Sequence, residues 1–192
     1  KRTEEGLNKS VEYFEKALTI DPDYALAYAG LADAYFVQTW WRWFPRIEGN
    51  ARAKEYAVRA LDIDKNLAEA HTVMGAVLYW NDWNFEEAQK ELLLAIELNP
   101  NYATAHQYYS ELLDILRLND EARLHINNAL ELDPFFFMYH SLSSMYYYNE
   151  GKLKESLEES YVVQELNPYY PSDYWRRFYI YIRQHEDLKA IE

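Results

Sequence analysis

The chain has 192 residues, no cysteine, five glycines and 32 acidic against 19 basic residues, which gives a formal net charge of −13. That balance repels nucleic-acid backbones and anionic lipid surfaces, and the missing cysteines exclude disulfides and thiolate metal sites. With 49% hydrophobic and 17% aromatic residues the sequence has enough apolar surface to pack, and it is neither disordered nor fibrous in composition.

No apolar run approaches 18 residues and no basic-then-apolar leader is present, so no membrane insertion and no secretion signal are expected within this segment. The cytoplasm is the compartment expected, although a cysteine-free chain suits the periplasm equally well. Both termini fall inside helical patterns, so the sequence reads as a piece of a longer array. Its cut ends are expected to expose apolar faces and to favour self-association through Phe178, Tyr181 and Ile182 or the face around Phe14.

Residues 4–20 read as the second helix of a pair, with Ser10, Phe14 and Ala17 on one face. It closes on Ala17-Leu18-Thr19-Ile20-Asp21-Pro22, and close versions of these six residues return at 60–65, 95–100, 129–134 and 163–168. Their last residues, Pro22, Lys65, Pro100, Pro134 and Pro168, lie 43, 35, 34 and 34 residues apart, a period that belongs to stacked helical repeats. The proline disfavours helix at the residue before it, and the preceding Asp or Asn is expected to satisfy loose backbone N–H groups where the next helix begins.

Residues 25–38 form the first helix of the next pair, with Tyr28, Leu31, Ala32 and Tyr35 on one stripe. Its mate is displaced by about nine extra residues relative to the regular period, and these fall in Thr39-Trp40-Trp41-Arg42-Trp43-Phe44-Pro45-Arg46-Ile47. Pro45 is placed to occupy the first position of a helix over 47–63. The following pairs are 68–79 with 85–98, 103–116 with 120–132, and 137–149 with 152–166, the last turning at Glu150-Gly151 where glycine accommodates a left-handed residue. A further first helix over 172–184 leads into a stub. The expected division of one array is therefore 1–24 (second helix only), 25–67 (the pair with the aromatic insertion), 68–102, 103–136, 137–170 and 171–192 (partial).

Small residues mark the crossing of each pair: Ala32, Gly75, Ser110 and Ser144 on first helices, and Ser10, Ala53, Ala88, Ala122, Ser156 and Ala190 early in second helices. Ala17, Ala60, Ala95, Ala129 and Val163 fill the later slot. On these residues the chain resembles the tetratricopeptide repeat, W-x₂-L-G-x₂-Y…A-x₃-F…P over about 34 residues. The resemblance implies an all-α, right-handed superhelical solenoid of antiparallel helix pairs, acting as a non-enzymatic protein-interaction scaffold. Lys65 in place of proline, Ser143 and Ser160 in place of large apolar residues, and Arg177 and Phe178 in the last helix depart from the pattern, and irregular packing is expected there. A narrower resemblance, over 25–35 and 67–109, is to repeat regions towards the C-terminus of bacterial signalling proteins. In those proteins the repeats follow an effector such as a winged-helix DNA-binding domain, a nucleotide cyclase or a protein kinase, which implies a sensory or scaffolding role.

Candidate sites were weighed against simple packing. His71, His106 and His140 recur at one slot of three successive pairs, but neighbouring first helices stand roughly 10 Å apart, and zinc ligands must converge within about 2.1 Å of one point. Packed or hydrogen-bonded histidines are expected, with no metal and no cofactor. The motifs H-E-x-x-H, G-x-G-x-x-G, G-K-[ST] and G-x-S-x-G are absent, so no catalytic residue is assigned.

The concave face of such an array is lined by first helices, and the partner-binding residues expected there are Asp33 and Phe36, then Tyr79 and Trp80, then Glu111 and Asp114. Met145 and Tyr148 follow on the fourth first helix, with Trp175 and Tyr179 on the fifth. A protein or peptide partner is expected, apolar with a few basic residues. Some repeat proteins of this family clamp a terminal carboxylate with Lys, Asn and Arg; the corresponding slots here hold Ala29, Asp33, Val73, Thr104 and Tyr108, so no such clamp is expected. Trp40, Trp41, Trp43 and Phe44 in the insertion form a second candidate surface unless they shield the longer helix, and Arg42 is a candidate to stack on them. With 19 tyrosines and six tryptophans, a small-ligand or glycan-binding module is the alternative reading.

Overall fold

The computed structural model describes residues 3–184, and among these it contains ten helices joined by short links. They are α1 (Glu4–Ile20), α2 (Ala25–Trp40), α3 (Arg46–Ile63), α4 (Ala68–Trp80), α5 (Phe85–Leu98), α6 (Ala103–Ile115), α7 (Asn119–Leu132), α8 (Phe137–Asn149), α9 (Leu153–Leu166) and α10 (Pro171–Arg183). The chain forms two compact units divided between Leu112 and Leu113. In the first, α2 packs on α1, α3 and α4, and α4 packs on α3 and α5; in the second, α8 packs on both α7 and α9, and α10 on α8 and α9. The fold class is the expected one, all-α and built from helix pairs. The stub after residue 184, with Ala190, lies outside the described residues.

The recurring six-residue segment ends each helix in the same way. The backbone N–H of Asp21, Asp64, Asn99, Asp133 and Asn167 donates to the carbonyl four residues earlier, at Ala17, Ala60, Ala95, Ala129 and Val163. Each of these Asp or Asn side chains then accepts from the backbone N–H two residues on, at 2.9–3.3 Å. This is an Asx turn. The side chain therefore closes the link rather than capping the next helix, whose N-cap positions Tyr24, Leu67, Phe136 and Tyr170 carry no side-chain cap bond. The histidine slot completes the link from above: His71, His106 and His140 place Nε2 2.9–3.0 Å from the carbonyl oxygens of Lys65, Pro100 and Pro134, and Tyr174 donates its hydroxyl to that of Pro168 at 2.6 Å.

The turn inside each pair also repeats. Arg42, Trp83, Arg117 and Gly151 take positive φ values of 60°, 56°, 64° and 79°, one in each link from first to second helix. The following N–H groups reach back across the helix end, Trp43 to Gln38, Leu118 to Leu113 and Lys152 to Tyr147, all at 2.9 Å. Only the fourth link uses glycine, the residue for which this conformation carries no Cβ penalty.

Ala53, Ala60, Ala88, Ala95, Ala122 and Ala129 are fully buried, which confirms the register of the small slots. In the fourth pair serine replaces alanine on both sides of the crossing. Ser144 Oγ donates to the Ser156 carbonyl at 2.7 Å and Ser156 Oγ to the Ser144 carbonyl at 2.8 Å, so both hydroxyls are satisfied while the helices stay close. The departures towards the end are met by polar packing. Asp173 is buried, accepts from Ser141 Oγ at 2.7 Å and pairs with Arg176, while Arg177 lies between the Tyr161 and Tyr174 rings at 5.2 and 4.7 Å and bonds Gln164. Ser160 donates to the Asp173 carbonyl at 3.3 Å. Burial raises the Asp173 pKa, and the two arginines and the serine bonds oppose it.

The extra residues of the second pair are spread over three elements. α2 has 16 residues where α4, α6 and α8 have 13, and α3 has 18 where α5, α7 and α9 have 14. The link 41–45 takes the rest, and Pro45 is the N-cap residue rather than the first helical one. The added turns cross tightly: a Cβ at Gly49 would run into the Thr39 side chain and stand 3.1 Å from Phe44 Cδ1.

Candidate functional site

The longer α3 carries Arg46, Asn50 and Lys54 at a spacing of four, on one face. Arg46 approaches the Trp80 carbonyl at 3.5 Å, Asn50 Nδ2 donates to Asn81 Oδ1 at 3.0 Å, and Lys54 pairs with Asp82 at 2.5 Å. The Lys54 bond lowers the Asp82 pKa, with Asn81 assisting against burial. This stripe ties the inserted turn to the end of α4. Sequence reading missed these three residues; the i, i+4, i+8 polar spacing in the extended helix was the available signal.

The inserted rings divide between covering and presenting. Phe44 meets Tyr35 edge-on at 5.3 Å, and the Arg52 guanidinium lies over both rings at 5.1 and 5.5 Å. Arg52, not Arg42, is thus the cation that stacks here. Trp41 and Trp43 stack on each other at 5.5 Å with planes 13° apart, Trp40 meets Trp41 edge-on at 5.2 Å, and Trp40 keeps 40% of its surface exposed.

On the first helices of the first unit, the expected binding residues separate by burial. Phe36 and Tyr79 are 4% and 2% exposed, so neither is a surface anchor. Phe36 packs edge-on against Tyr108 at 5.5 Å. Tyr79 sends its hydroxyl to Glu111 Oε2 at 3.2 Å, and burial, together with the Glu111 charge, raises its pKa well above the usual value. Both rings thus meet side chains of α6, Tyr108 and Glu111, instead of solvent. Trp80, one residue on, is 39% exposed, with Nε1 3.4 Å from the same Glu111 oxygen. Gln107 donates to the other Glu111 oxygen at 2.8 Å. Glu111 therefore gathers Tyr79, Trp80 and Gln107 around one carboxylate.

Asp33 is the other carboxylate of this unit. Its Oδ1 is buried with no hydrogen-bond donor, and it lines a cavity of about 340 Å³ together with Phe14, Tyr24, Leu26, Ala29, Gly30, Glu69 and Tyr102. Gly30 allows the cavity wall to form: a Cβ there would fall within 2.6 Å of Phe14 ring atoms, so its absence lets the ring lie against α2.

In the second unit, Asp114 is partly buried, and burial raises its pKa while Arg117 opposes the rise. Met145 and Tyr148 are partly buried, and the Arg183 guanidinium covers the Tyr148 ring at 5.0 Å. Trp175 and Tyr179 are 62% and 53% exposed, and Phe178 touches both edge-on at 6.0 and 5.6 Å. Tyr181, expected on a self-association surface, is instead buried, with its hydroxyl 2.6 Å from that of Tyr161.

The histidines bind within their own pairs. His71 Nδ1 is 2.5 Å from Glu91 Oε2 and His140 Nδ1 is 2.6 Å from Glu159 Oε2, each in addition to its carbonyl partner. Among the described residues no group of three or more His, Asp or Glu side chains is placed to hold a metal ion, and no helix is long and apolar enough to cross a membrane.

Comparison with known proteins agrees with this geometry. The sequence pattern of the family described as tetratricopeptide repeat matches residues 7–24 and 68–102. Over 131 residues, 67% of the chain, the sequence is 28% identical to the transcriptional regulator HilA of Salmonella paratyphi A, and 27% identical to that of Salmonella typhimurium. The chain spans only 23% of the length of these relatives. Among solved structures, YrrB, described as a tetratricopeptide-repeat protein with an unusual peptide-binding site, superposes with a TM-score of 0.60 at 21% identity, covering 94% of this chain and 88% of YrrB. The pilus biogenesis factor PilW gives 0.73 at 18% identity over 96% and 81%, and PilF of Pseudomonas aeruginosa 0.69 at 19% over 96% and 79%.

Proposed function

We propose that this chain, whose residues 7–24 and 68–102 match the tetratricopeptide repeat, is a non-enzymatic scaffold that binds a protein or peptide partner through its first helices, as the interaction part of a larger bacterial regulatory protein. The observation that carries this reading is the set of large rings left uncovered on first helices, Trp80 in one unit and Trp175 and Tyr179 in the other. Aromatic side chains held at their base and open at their face are the usual anchors of binding surfaces. Trp80 is held by Glu111, and Trp175 and Tyr179 flank Phe178. Glu111 and Asp114 add negative charge, so the partner segment is apolar with scattered Lys or Arg. The likeness to the transcriptional regulator HilA supports placement in a regulatory protein, and the peptide-binding site ascribed to YrrB supports a peptide ligand.

A peptide array probed with the chain tests this. Selected peptides should be apolar and basic, and Trp80→Ala or the pair Trp175→Ala with Tyr179→Ala should accelerate their dissociation. Selection of acidic peptides, or binding that survives all three changes but is lost on replacing Trp40, Trp41 and Trp43, would move the site to the insertion.

A further inference from the structure

The cavity beside α2 has features that the exposed rings do not explain. Its volume, about 340 Å³, lies at the lower end of the roughly 300–1,000 Å³ typical of ligand sites and far above the roughly 30 Å³ share of one water molecule. Three aromatic side chains, Phe14, Tyr24 and Tyr102, share its lining with two carboxylates, Asp33 and Glu69. Among the described residues neither carboxylate is paired with a Lys or Arg, and no protein group donates to the buried Asp33 Oδ1. A buried carboxylate oxygen without a donor is costly, and two unpaired carboxylates in one cavity add mutual repulsion.

A cation removes both costs at once. Carboxylates supply its countercharge, aromatic faces attract it through their quadrupoles, and the burial of Asp33 Oδ1 strengthens the attraction there relative to water. We propose that this cavity receives the ammonium or guanidinium head of a Lys or Arg side chain carried by the partner segment. The assignment rests on the peptide-binding reading and specifies its chemistry at one point. The alkyl stem of such a side chain lies along Leu26 and Ala29 while the head reaches Asp33 and Glu69. The chain's net charge of −13 draws cationic segments towards it.

The test uses the whole chain and small probes followed by amide NMR shifts: Nα-acetyl-lysine methylamide, Nα-acetyl-arginine methylamide, the neutral Nα-acetyl-norleucine methylamide, and cadaverine as a free amine. The two cationic derivatives should produce saturable shifts at Gly30, Asp33 and Glu69, norleucine none. Asp33→Asn and Glu69→Gln should each weaken binding about tenfold or more, and Asp33→Asn should leave the thermal midpoint unchanged or raised, since the carboxylate it removes has an unsatisfied oxygen. Equal binding of norleucine, no effect of Asp33→Asn, or unfolding of that variant would overturn the proposal, and cadaverine binding about tenfold tighter than blocked lysine would assign the cavity to a free amine instead. Array peptides that bind without any preference for Lys or Arg would sink the cavity assignment and leave the partner-binding reading standing. Titration of the blocked amino acids in the absence of any peptide binding would do the reverse.

Discussion

The pairs His71–Glu91 and His140–Glu159 make the stability of this protein depend on pH in a direction that can be worked out from contacts. Each imidazole faces two acceptors: a carboxylate at Nδ1, 2.5 and 2.6 Å away, and a backbone carbonyl at Nε2, both 2.9 Å away. A neutral imidazole has one N–H, so only the imidazolium satisfies both. For His71 the Glu91 bond raises the pKa, burial opposes it, and the Lys65 carbonyl and the Glu91 charge assist. For His140 burial works against the charged ring, but the Glu159 bond, the Pro134 carbonyl and the Glu159 charge together outweigh it. Both folded values thus lie above the unfolded value of 6.5, so the stabilisation is complete below 6.5 and is lost as pH rises through the folded values. A hydrogen bond to a charged group contributes about 1.5–3 kcal/mol. The Glu91 and Glu159 side chains keep 21% and 23% of their surface in water, which reduces this to about 1 kcal/mol per pair, or about 2–4 °C in a chain of this size. Thermal unfolding of the parent, Glu91→Gln and Glu159→Gln at pH 5.5 and 8.5, with the imidazoles titrated by NMR, measures it. Each variant should lose its 2–4 °C at pH 5.5 and approach the parent at pH 8.5. Equal losses at the two pH values, or His71 and His140 titrating at or below 6.5, would refute the reasoning.

Three further outcomes follow from packing. Ala122 on α7 is fully buried and Glu121 is exposed, so Ala122→Leu should cost about 1–3 kcal/mol by overpacking while Glu121→Leu changes little; equal melting shifts would show the register to be misplaced. Gly49→Ala gains about 1 kcal/mol of helix propensity but meets the Thr39 side chain. It should be net destabilising alone and should recover when combined with Thr39→Ala, and a stabilised single variant would contradict the close crossing. Arg117 holds a φ of 64° on an exposed link, so Arg117→Gly should stabilise by about 0.5–1 kcal/mol and Arg117→Val should destabilise, as read from urea midpoints.

What the sequence determined by itself is the periodic part of the molecule. The alanines at 53, 88 and 122 announce close crossings because only a small side chain fits where two helices touch, and the Asp-Pro or Asn-Pro endings announce the stops because their chemistry is local. Even there the role of the Asp or Asn was decided by backbone geometry, which turns it onto the amide two residues on and leaves the next helix uncapped. The histidines show the boundary well: their spacing placed them in equivalent slots, but their partners, Glu91 and Glu159 about 20 residues away, exist only once α4 folds on α5 and α8 on α9. The site was less legible, because helical spacing assigns a residue to a face but not to solvent. Phe36 and Tyr79 share the stripe expected to be open, and a neighbouring first helix covers them, whereas Trp80 at the helix end touches that helix only through Nε1 and keeps 39% of its surface exposed. The cavity lined by Asp33 and Glu69 draws on three helices and two links, from Phe14 to Tyr102. No local pattern encodes it, since its walls become neighbours only through tertiary packing.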